Sequence, residues 1–378
     1  MRVLMLNYEY PPLGGGAANA NRYLLEYLDD RGIEVDLVTS SENGYLEEDF
    51  SDGISIYRVD VGKDMLHHWK NIEIVRYFFR GLLKSYQLKR SNNYDLVHAW
   101  FGLPCGLMAL LLRKPYLLSL RGSDVPGFNE RFSKLYVLLR PLIRTVWRNA
   151  DAVVANSQDL KSLALETLEI DITVIENGVD LDEFSPDNSG GKTVNVLEAL
   201  SVARLTSRKR LTDVINAVKA LENVNLTVVG DGVLREKLED ISDDSIQFKG
   251  RVEHEDIHEF YEKSDVFVHS SKNEGMSNTL LEACSSGLPI IATDTGDSSK
   301  LVQFNGFLVD MESPDEIKKC LKIYRDRNSL IEEHGERSRE IAESMTWDNV
   351  AEKYILEYNL IRSNKTSDKD ERKMDRVF

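Results

Sequence analysis

Two spacings of apolar residues alternate along this chain. Runs in which almost every residue is apolar, "RVLMLN", "VDLVTS", "ISIYRV", "DLVHAW", "PYLLSL", "DAVVANS" and "ITVIEN", recur through roughly the first 175 residues. Between most of them apolar positions fall three and four apart, as on a helix with one buried face. Continuous apolar runs predict strands covered on both faces, and helices between them predict a parallel sheet. "NGVDLDEFSPDNSGGKT", Asn177 to Thr193, breaks the pattern with Asn, Asp, Gly, Ser and Pro and reads as a linker. A second series follows: "VNVLEALSVAR", "NLTVVG", "SIQFKG", "DVFVHSS", "LPIIATD" and "GFLVD", again with helices between. The pattern predicts two domains, residues 1–180 and 190–345. A last amphipathic helix, "TWDNVAEKYILEYNLI" (Thr346 to Ile361), precedes residues 363–378, too charged to pack and expected to fray.

A length of 378 residues exceeds what one core usually serves, in keeping with two domains. The fold class expected is α/β, two Rossmann-like parallel-sheet domains facing across a cleft. An apolar fraction of 42% and a charged fraction of 29% describe an ordinary globular chain. Met1 to Leu6 has one basic residue and runs at once into Asn7 and Glu9, so it reads as a first strand and not a signal peptide. The longest apolar run, Phe101 to Leu112, stops at Arg113 and Lys114, short of the roughly 20 residues a membrane helix needs. Cys105, Cys284 and Cys320 are widely spaced and suit buried side chains in a reducing cytoplasm.

The net charge of −16 argues against nucleic acid as a partner, yet it hides an asymmetry. Between Met65 and Arg148 there are 14 Lys and Arg against four acids (Glu73, Asp95, Asp124 and Glu130), a local +10 in a chain otherwise at −26. The densest parts, His67 to Arg90 and Arg131 to Ala150, interleave cations with aromatic and aliphatic residues at helical spacing. That is the profile of an interfacial helix, and equally of a core helix with a basic outer face.

Three stretches carry candidate chemistry. "NYEYPPLGGGAANANRYLLEYL", Asn7 to Leu28, sets Gly14, Gly15 and Gly16 between a strand and a helix. Glycine admits φ > 0 and close approach to its backbone, so such a run suits a phosphate or a closely packed ligand. The dinucleotide fingerprint G-x-G-x-x-G is not met, because its third glycine would fall on Asn19 or Ala20 and Asp36 lies within the next strand; hydride transfer is set aside. In Asp265 to Asp297 a buried strand leads to Glu274 and Gly275, then to a helix from about Asn278 that carries Glu282. The helix start makes an anion site, and the two carboxylates can each accept two hydroxyl hydrogen bonds from a sugar or ribose diol. A lone Glu in either place would be a capping or surface acid. "SVARLTSRKRLTDVINAV", Ser201 to Val218, clusters Arg204, Arg208, Lys209 and Arg210 where a strand meets a helix. Cations there would stabilise charge growing on a departing diphosphate. Arg204 and Lys209 are the ligand candidates, while Arg208 and Arg210 also read as solvated basic surface.

With these residues the chain resembles the retaining glycosyltransferases of GT-B fold, the family-four nucleotide-sugar enzymes. The resemblance runs over nearly the whole length: "YPPLGGG", "RGSDVPG" (Arg121 to Gly127), "ENGVDLDEF", "ARLTSRK", "VVGDGVLREKLE", "FKGRV" and "EGMSNTLLEACSSGLPIIAT". It implies transfer of a hexosyl-type unit from a nucleotide-diphosphate sugar, with anomeric retention, in a cleft between two domains. By position Glu282 would hold the nucleotide ribose and Glu274 the sugar hydroxyls, while Arg204 and Lys209 would neutralise the diphosphate. Gly275, Met276, Ser277, Asn278 and Thr279 would face the donor through the loop and helix start, and Gly14 to Gly16 would approach it from the other domain. The resemblance also implies that the last helix, to about residue 362, returns to brace the first domain. One departure stands out. Where the family often has a histidine opening an "HGxD"-like element, this chain has Arg121, followed by Gly122, Ser123 and Asp124. Arginine stays protonated and cannot act as a base, so the base is unassigned; Arg121 and Asp124 are placed near an anionic acceptor or phosphate.

Two further motifs are set aside. "HEDIH", His254 to His258, meets the H-E-x-x-H zinc pattern, which a short expression does easily by chance. "DLD", Asp180 to Asp182, imitates a metal-binding aspartate motif but lies in the linker. Neither a cofactor nor an obligatory metal is expected, since cations and helix starts supply the phosphate's countercharge, and a UDP-sugar is favoured over a GDP-sugar. The resemblance gives the first domain the acceptor, and its basic helices point to a lipid-linked or cell-surface glycan with peripheral attachment to an anionic membrane from the cytoplasmic side, a soluble acceptor being the alternative. Two alternatives stay open: a nucleotide-sugar epimerase or phosphorolytic enzyme on the same scaffold, and a catalytically idle sugar-binding module.

Overall fold

The computed structural model describes residues 1–378 apart from 43, 64–68, 129–132, 187–194, 273–274 and 375–378; for 133–135 and 365–374 it describes the backbone alone. The chain divides into two compact units, Met1–Glu176 with Trp347–Phe378, and Asn177–Thr346.

The first unit runs β1 (Arg2–Leu6), α1 (Gly16–Asp29), β2 (Glu34–Ser41), β3 (Leu46–Asp49), β4 (Ile54–Asp60), α2 (Asn71–Ser91), β5 (Leu96–Trp100), α3 (Leu107–Leu112), β6 (Tyr116–Leu120), α4 (Ser133–Arg148), β7 (Ala152–Ala155), α5 (Gln158–Thr167) and β8 (Thr173–Val174). Its eight strands lie in the order β3-β4-β2-β1-β5-β6-β7-β8. Every pairing is parallel except β3 with β4, a mostly acidic antiparallel edge that contains no apolar run. β1 and β5 to β7 are almost wholly buried, as strands covered by helices on both faces must be.

The second unit runs β9 (Leu197–Val202), α6 (Leu211–Lys219), β10 (Val224–Val229), α7 (Arg235–Asp240), β11 (Ile246–Gly250), α8 (His258–Glu262), β12 (Val266–His269), α9 (Asn278–Ser285), β13 (Ile290–Thr293), α10 (Ser298–Leu301), β14 (Gly306–Val309), α11 (Pro314–Asp326) and α12 (Ser329–Glu343). Its sheet is all parallel, in the order β11-β10-β9-β12-β13-β14. Both domains are therefore doubly wound α/β sheets.

Two readings change. The described part of the expected linker, residues 177–186, is packed: Val179 and Phe184 are buried in the second domain's core, and Val179 bridges Thr346. Two apolar residues in a polar stretch are enough to anchor it. The last helix, α13, extends over Trp347–Met374 and so beyond residue 362. Nothing in "RSNKTSDKDERKM" stops it, for that stretch has neither glycine nor proline. Its N-terminal part packs on α1, β5 and β6, with Trp347 stacked on Tyr23 at 5.4 Å.

Candidate functional site

In an open parallel sheet, ligands bind beyond the carboxyl ends of the strands where strand order reverses. In the second domain that point lies between β9 and β12, because β10 and β11 extend to one side and β13 and β14 to the other. The loop after β9 carries Arg204 to Arg210, and the loop after β12 leads to Gly275 and α9. Two hydrogen bonds tie these loops together: Lys272 N donates to the Arg208 carbonyl at 2.9 Å, and Ser270 Oγ to the Lys209 carbonyl at 2.8 Å.

The β9 loop is held from its other side by β10's exit. Gly230 has φ +129, and a Cβ there would lie 2.1 Å from the Ala203 carbonyl oxygen; at Gly232 it would lie 2.5 Å from that of Leu205. Backbone meets backbone, with Leu205 N donating to the Asp231 carbonyl at 3.0 Å and Leu234 N to that of Leu205 at 3.1 Å. Arg204 projects from this fixed turn, exposed and without a side-chain partner among the described residues. Residues Ser207–Lys209 form a single tight turn, and Arg208 is exposed on it while Lys209 is half-buried. Arg210 is not solvated surface: it forks onto Asp213 at 2.6 and 2.9 Å and pairs with Glu312 at 3.1 Å.

Across from it, Met276 is buried against Leu280 and Leu281, which seats the start of α9. Ser277 occupies the N-cap position, its hydroxyl 3.2 Å from that of Thr279, and Asn278 accepts a hydrogen bond from Asn177 at 2.6 Å. Gly275, Asn278 and Thr279 are half-buried. The first-turn amides of α9 have no intrahelical acceptor, so this helix end is electropositive and suited to an anion. Glu282, one turn further, is 7% exposed and accepts the Tyr261 hydroxyl on Oε2 at 2.8 Å; among the described residues Oε1 accepts no hydrogen bond. Burial raises its pKa, against His254 and the Tyr261 hydroxyl, which lower it. Glu274 lies outside the described residues.

In the first domain the order reverses between β1 and β5. Gly14 follows β1 with φ +102, and a Cβ there would come within 2.8 Å of Glu9 Cβ and 3.0 Å of Ala18 Cβ. Gly15 is the N-cap of α1, which begins at Gly16, and its carbonyl accepts Ala18 N at 2.9 Å. Arg121 follows β6, its guanidinium 4.2 Å from the Trp100 ring centroid, an aromatic face that attracts a cation. Asp124 faces backbone: its carboxylate accepts Gly102 N at 2.7 Å and Arg121 N at 2.9 Å, joining the β5 and β6 exits. Its buried position raises its pKa, partly offset by these amides.

Beneath Arg121 lies a polar network that the pattern of apolar runs did not bring out. His98 Nδ1 is 2.7 Å from the Tyr358 hydroxyl, His98 Nε2 is 2.8 Å from Ser119 Oγ, and Ser119 Oγ is 3.3 Å from the Tyr354 hydroxyl. Burial, then the charge of Arg121, holds the His98 pKa well below its ordinary value. Its sequence signal is a histidine inside an otherwise apolar strand, together with two tyrosines four apart on the returning helix.

The motifs set aside serve the fold. Residues His254–Asp256 form a short turn before α8, where His254 lies 3.9 Å from Glu183 and 5.9 Å from the Phe184 ring, while His258 Nδ1 is 2.8 Å from the Glu255 carbonyl. Asp180 accepts the amides of Asp182 and Glu183 at 2.9 and 3.0 Å. Among the described residues no three His, Cys, Asp or Glu side chains gather as a metal site would need. Burial pushes the Cys105 and Cys284 thiols up to about 12 and Cys320 to about 11, which leaves them protonated.

Residues 14–183 match the family described as Glycosyltransferase Family 4, and residues 187–341 the one described as Glycosyl transferases group 1. The chain is 25% identical over 358 residues to an uncharacterized glycosyltransferase of Methanocaldococcus jannaschii, covering 92% of this chain and 95% of that one. It is also 25% identical over 364 residues to the UDP-Gal:alpha-D-GlcNAc-diphosphoundecaprenol alpha-1,3-galactosyltransferase of Escherichia coli, covering 87% of this chain and 89% of that one. Among solved structures, the sucrose-phosphate synthase of Thermosynechococcus elongatus superposes with a TM-score of 0.83 at 18% identity, over 96% of this chain and all of that one. At that identity the likeness is one of fold.

Proposed function

The chain belongs to the glycosyltransferases of GT-B fold, and on that premise we propose that it moves a sugar, with retention, from a UDP-sugar to a lipid-linked glycan acceptor at an anionic membrane surface. The observation that carries the reading is the pairing of two loops at one switch point: the turn bearing Arg204 and Lys209 is hydrogen-bonded to the loop that leads into α9. A diphosphate lying there meets two cations and a helix N-terminus. Charge grows on the β-phosphate as the bond to the sugar's anomeric carbon breaks, and fixed positive groups favour that state over the bound substrate.

In this reading Gly275 to Thr279 face the phosphates and sugar, Glu282 holds the ribose hydroxyls on Oε1 while Tyr261 fixes Oε2, and Glu274 takes the sugar's hydroxyls. The Gly14 to Gly16 turn forms part of the ligand site in the first domain. Arg121, fixed over Trp100, faces an anionic group of the acceptor, and Asp124 sets its loop. UDP leaves with the bonding pair, the acceptor oxygen bonds to the same face of the anomeric carbon, and the acceptor proton passes to a phosphate oxygen of the donor. No protein base or metal is required, because the leaving group's charge is met by Arg204, Lys209 and α9. The uridine choice and the lipid-linked acceptor are supported by the similarity to the Escherichia coli UDP-Gal:alpha-D-GlcNAc-diphosphoundecaprenol alpha-1,3-galactosyltransferase.

UDP release measured with and without a polyprenyl-diphosphate-sugar acceptor tests the reading. Release that needs the acceptor, an α-linked product from an α-linked donor, activity kept in EDTA and loss on Glu274→Ala are expected. Donor turnover without any acceptor would point to an epimerase or a phosphorolytic enzyme, and full activity of Glu274→Ala would remove that residue's role.

A further inference from the structure

Helix α2 buries one face and leaves an apolar stripe on the other. Glu73, Tyr77, Gly81, Ser85 and Leu88 are buried. Ile72, Val75, Phe79, Leu83 and Tyr86 are 53%, 47%, 65%, 62% and 37% exposed. At about 100° per residue these five lie within an arc of roughly 80°, directly opposite the buried face. Packing inside the domain therefore does not account for Ile72, Val75, Phe79 and Leu83, whereas the Tyr86 hydroxyl donates to the Leu111 carbonyl at 2.7 Å. Val137 and Leu138 of α4 are each 77% exposed, and Leu111 of α3 is 40% exposed. α2 packs on α3 and, together with α4, on the turn at Gly102–Gly106. Because the chain moves one way across the sheet from β1 to β2 and the other way from β4 to β5, right-handed crossovers put α2 on the face opposite α1.

Charge identifies the occupant. α2 and α4 together contain nine Lys and Arg and one acid, Glu73. That acid is buried and paired with Lys63 at 2.9 Å. Arg76, Arg80 and Arg90 are exposed beside the stripe; Arg80 shares its charge with Asp60 at 2.8 Å. A second copy docking through the same patch would set cations against cations, since a two-fold contact repeats the patch on both sides. Exposed aliphatic and aromatic side chains edged by cations suit a bilayer whose headgroups are anionic.

We infer that the α2 stripe, with the exposed apolar residues of α3 and α4, is the face by which this protein lies on an anionic lipid surface, its apolar side chains in the headgroup layer and its arginines among the phosphates. This rests on the reading of a membrane-borne acceptor and gives it a place on the fold.

The test is flotation of the full chain with phosphatidylcholine vesicles with and without phosphatidylglycerol, at low and high salt. Alongside it, thermal shift measures UDP binding in solution. Binding that needs phosphatidylglycerol and weakens in high salt is expected, and a double change, Phe79→Glu with Leu83→Glu, lowers the partition at least about tenfold. Both side chains are exposed, so UDP-dependent stabilisation should persist in that variant and show that it is folded. Failure of the wild type to float with phosphatidylglycerol at low salt overturns the inference, as does undiminished flotation of the double variant. A dimer in sedimentation that the same substitutions dissolve overturns it in favour of a second copy. If UDP does not bind, the proposed reaction fails, whatever the vesicles show.

Discussion

Replacing Tyr261 by Phe isolates a single hydroxyl. The ring stays packed against Phe184 and Phe267, each with its centroid 5.7 Å away, and only the donor to Glu282 is lost. The same hydroxyl is 3.3 Å from the Thr279 carbonyl, but it has one proton and the 2.8 Å carboxylate contact takes it. A hydrogen bond to a charged group contributes about 1.5–3 kcal/mol, and in a domain of this size each kcal/mol moves the melting point by about 2–4 °C. A loss of roughly 3–12 °C follows for the second domain. The sign with pH is fixed by Glu282. Burial raises its folded pKa above the unfolded value, so its ionised form costs stability as pH rises from the unfolded value through the folded one. Losing the Tyr261 donor enlarges that penalty, so the variant's deficit should be greater at pH 8 than at pH 5. All four tryptophans, Trp69, Trp100, Trp147 and Trp347, belong to the first unit, so calorimetry and not tryptophan emission is the probe. UDP affinity should fall as well, with its acid limb displaced to higher pH. A deficit equal at both pH values, or one below about 0.5 kcal/mol, would refute the claim that an ionised Glu282 depends on this donor.

Four other outcomes are expected. Gly230→Ala combines an unfavourable φ with a Cβ 2.1 Å from the Ala203 carbonyl oxygen, so it should cost roughly 2–4 kcal/mol in chemical denaturation and weaken UDP binding through the displaced Arg204 turn. Arg204→Ala should lower UDP affinity by about tenfold or more in titration calorimetry with little change in melting point; Arg210→Ala should do the reverse, since it strands the buried Asp213. His98 has a folded pKa below the unfolded value, so its contribution is intact above about pH 6.5 and is lost as pH falls toward the folded value, at up to about 1.4 kcal/mol per unit. Tryptophan-detected denaturation of wild type and His98→Gln at pH 7 and 5 should show the variant with the shallower loss.

The sequence by itself determined the secondary elements of both sheets, for a strand covered on both faces must be apolar throughout and a helix on a sheet must repeat every three to four residues. Each of the thirteen quoted runs contains a strand, from "RVLMLN" at β1 to "GFLVD" at β14, and the element outside that rule is β3, Leu46–Asp49, three of whose four residues are acidic, as an edge strand that faces water allows. The motifs carried the family in the same local way, since glycines and prolines mark where backbone must turn or come close.

Partners distant in sequence were decided only by the tertiary structure. Strand order sets the β9 loop beside the β12 loop, and no periodicity in either loop encodes that order. Arg210 reads like its neighbours in "RKR", yet it meets Glu312 across about a hundred residues and so becomes a tie where Arg204 remains a projecting cation. The sequence sets Asp124 three residues after Arg121, and only the packing shows Gly102 N and Arg121 N donating to its two oxygens. For α2 the sequence supplied an amphipathic helix carrying cations, and burial of Tyr77 and Leu88 then decided which of its apolar residues were left facing outward. Spacing along a chain determines which side chains share a face, whereas a partner from another element is determined by how the elements pack.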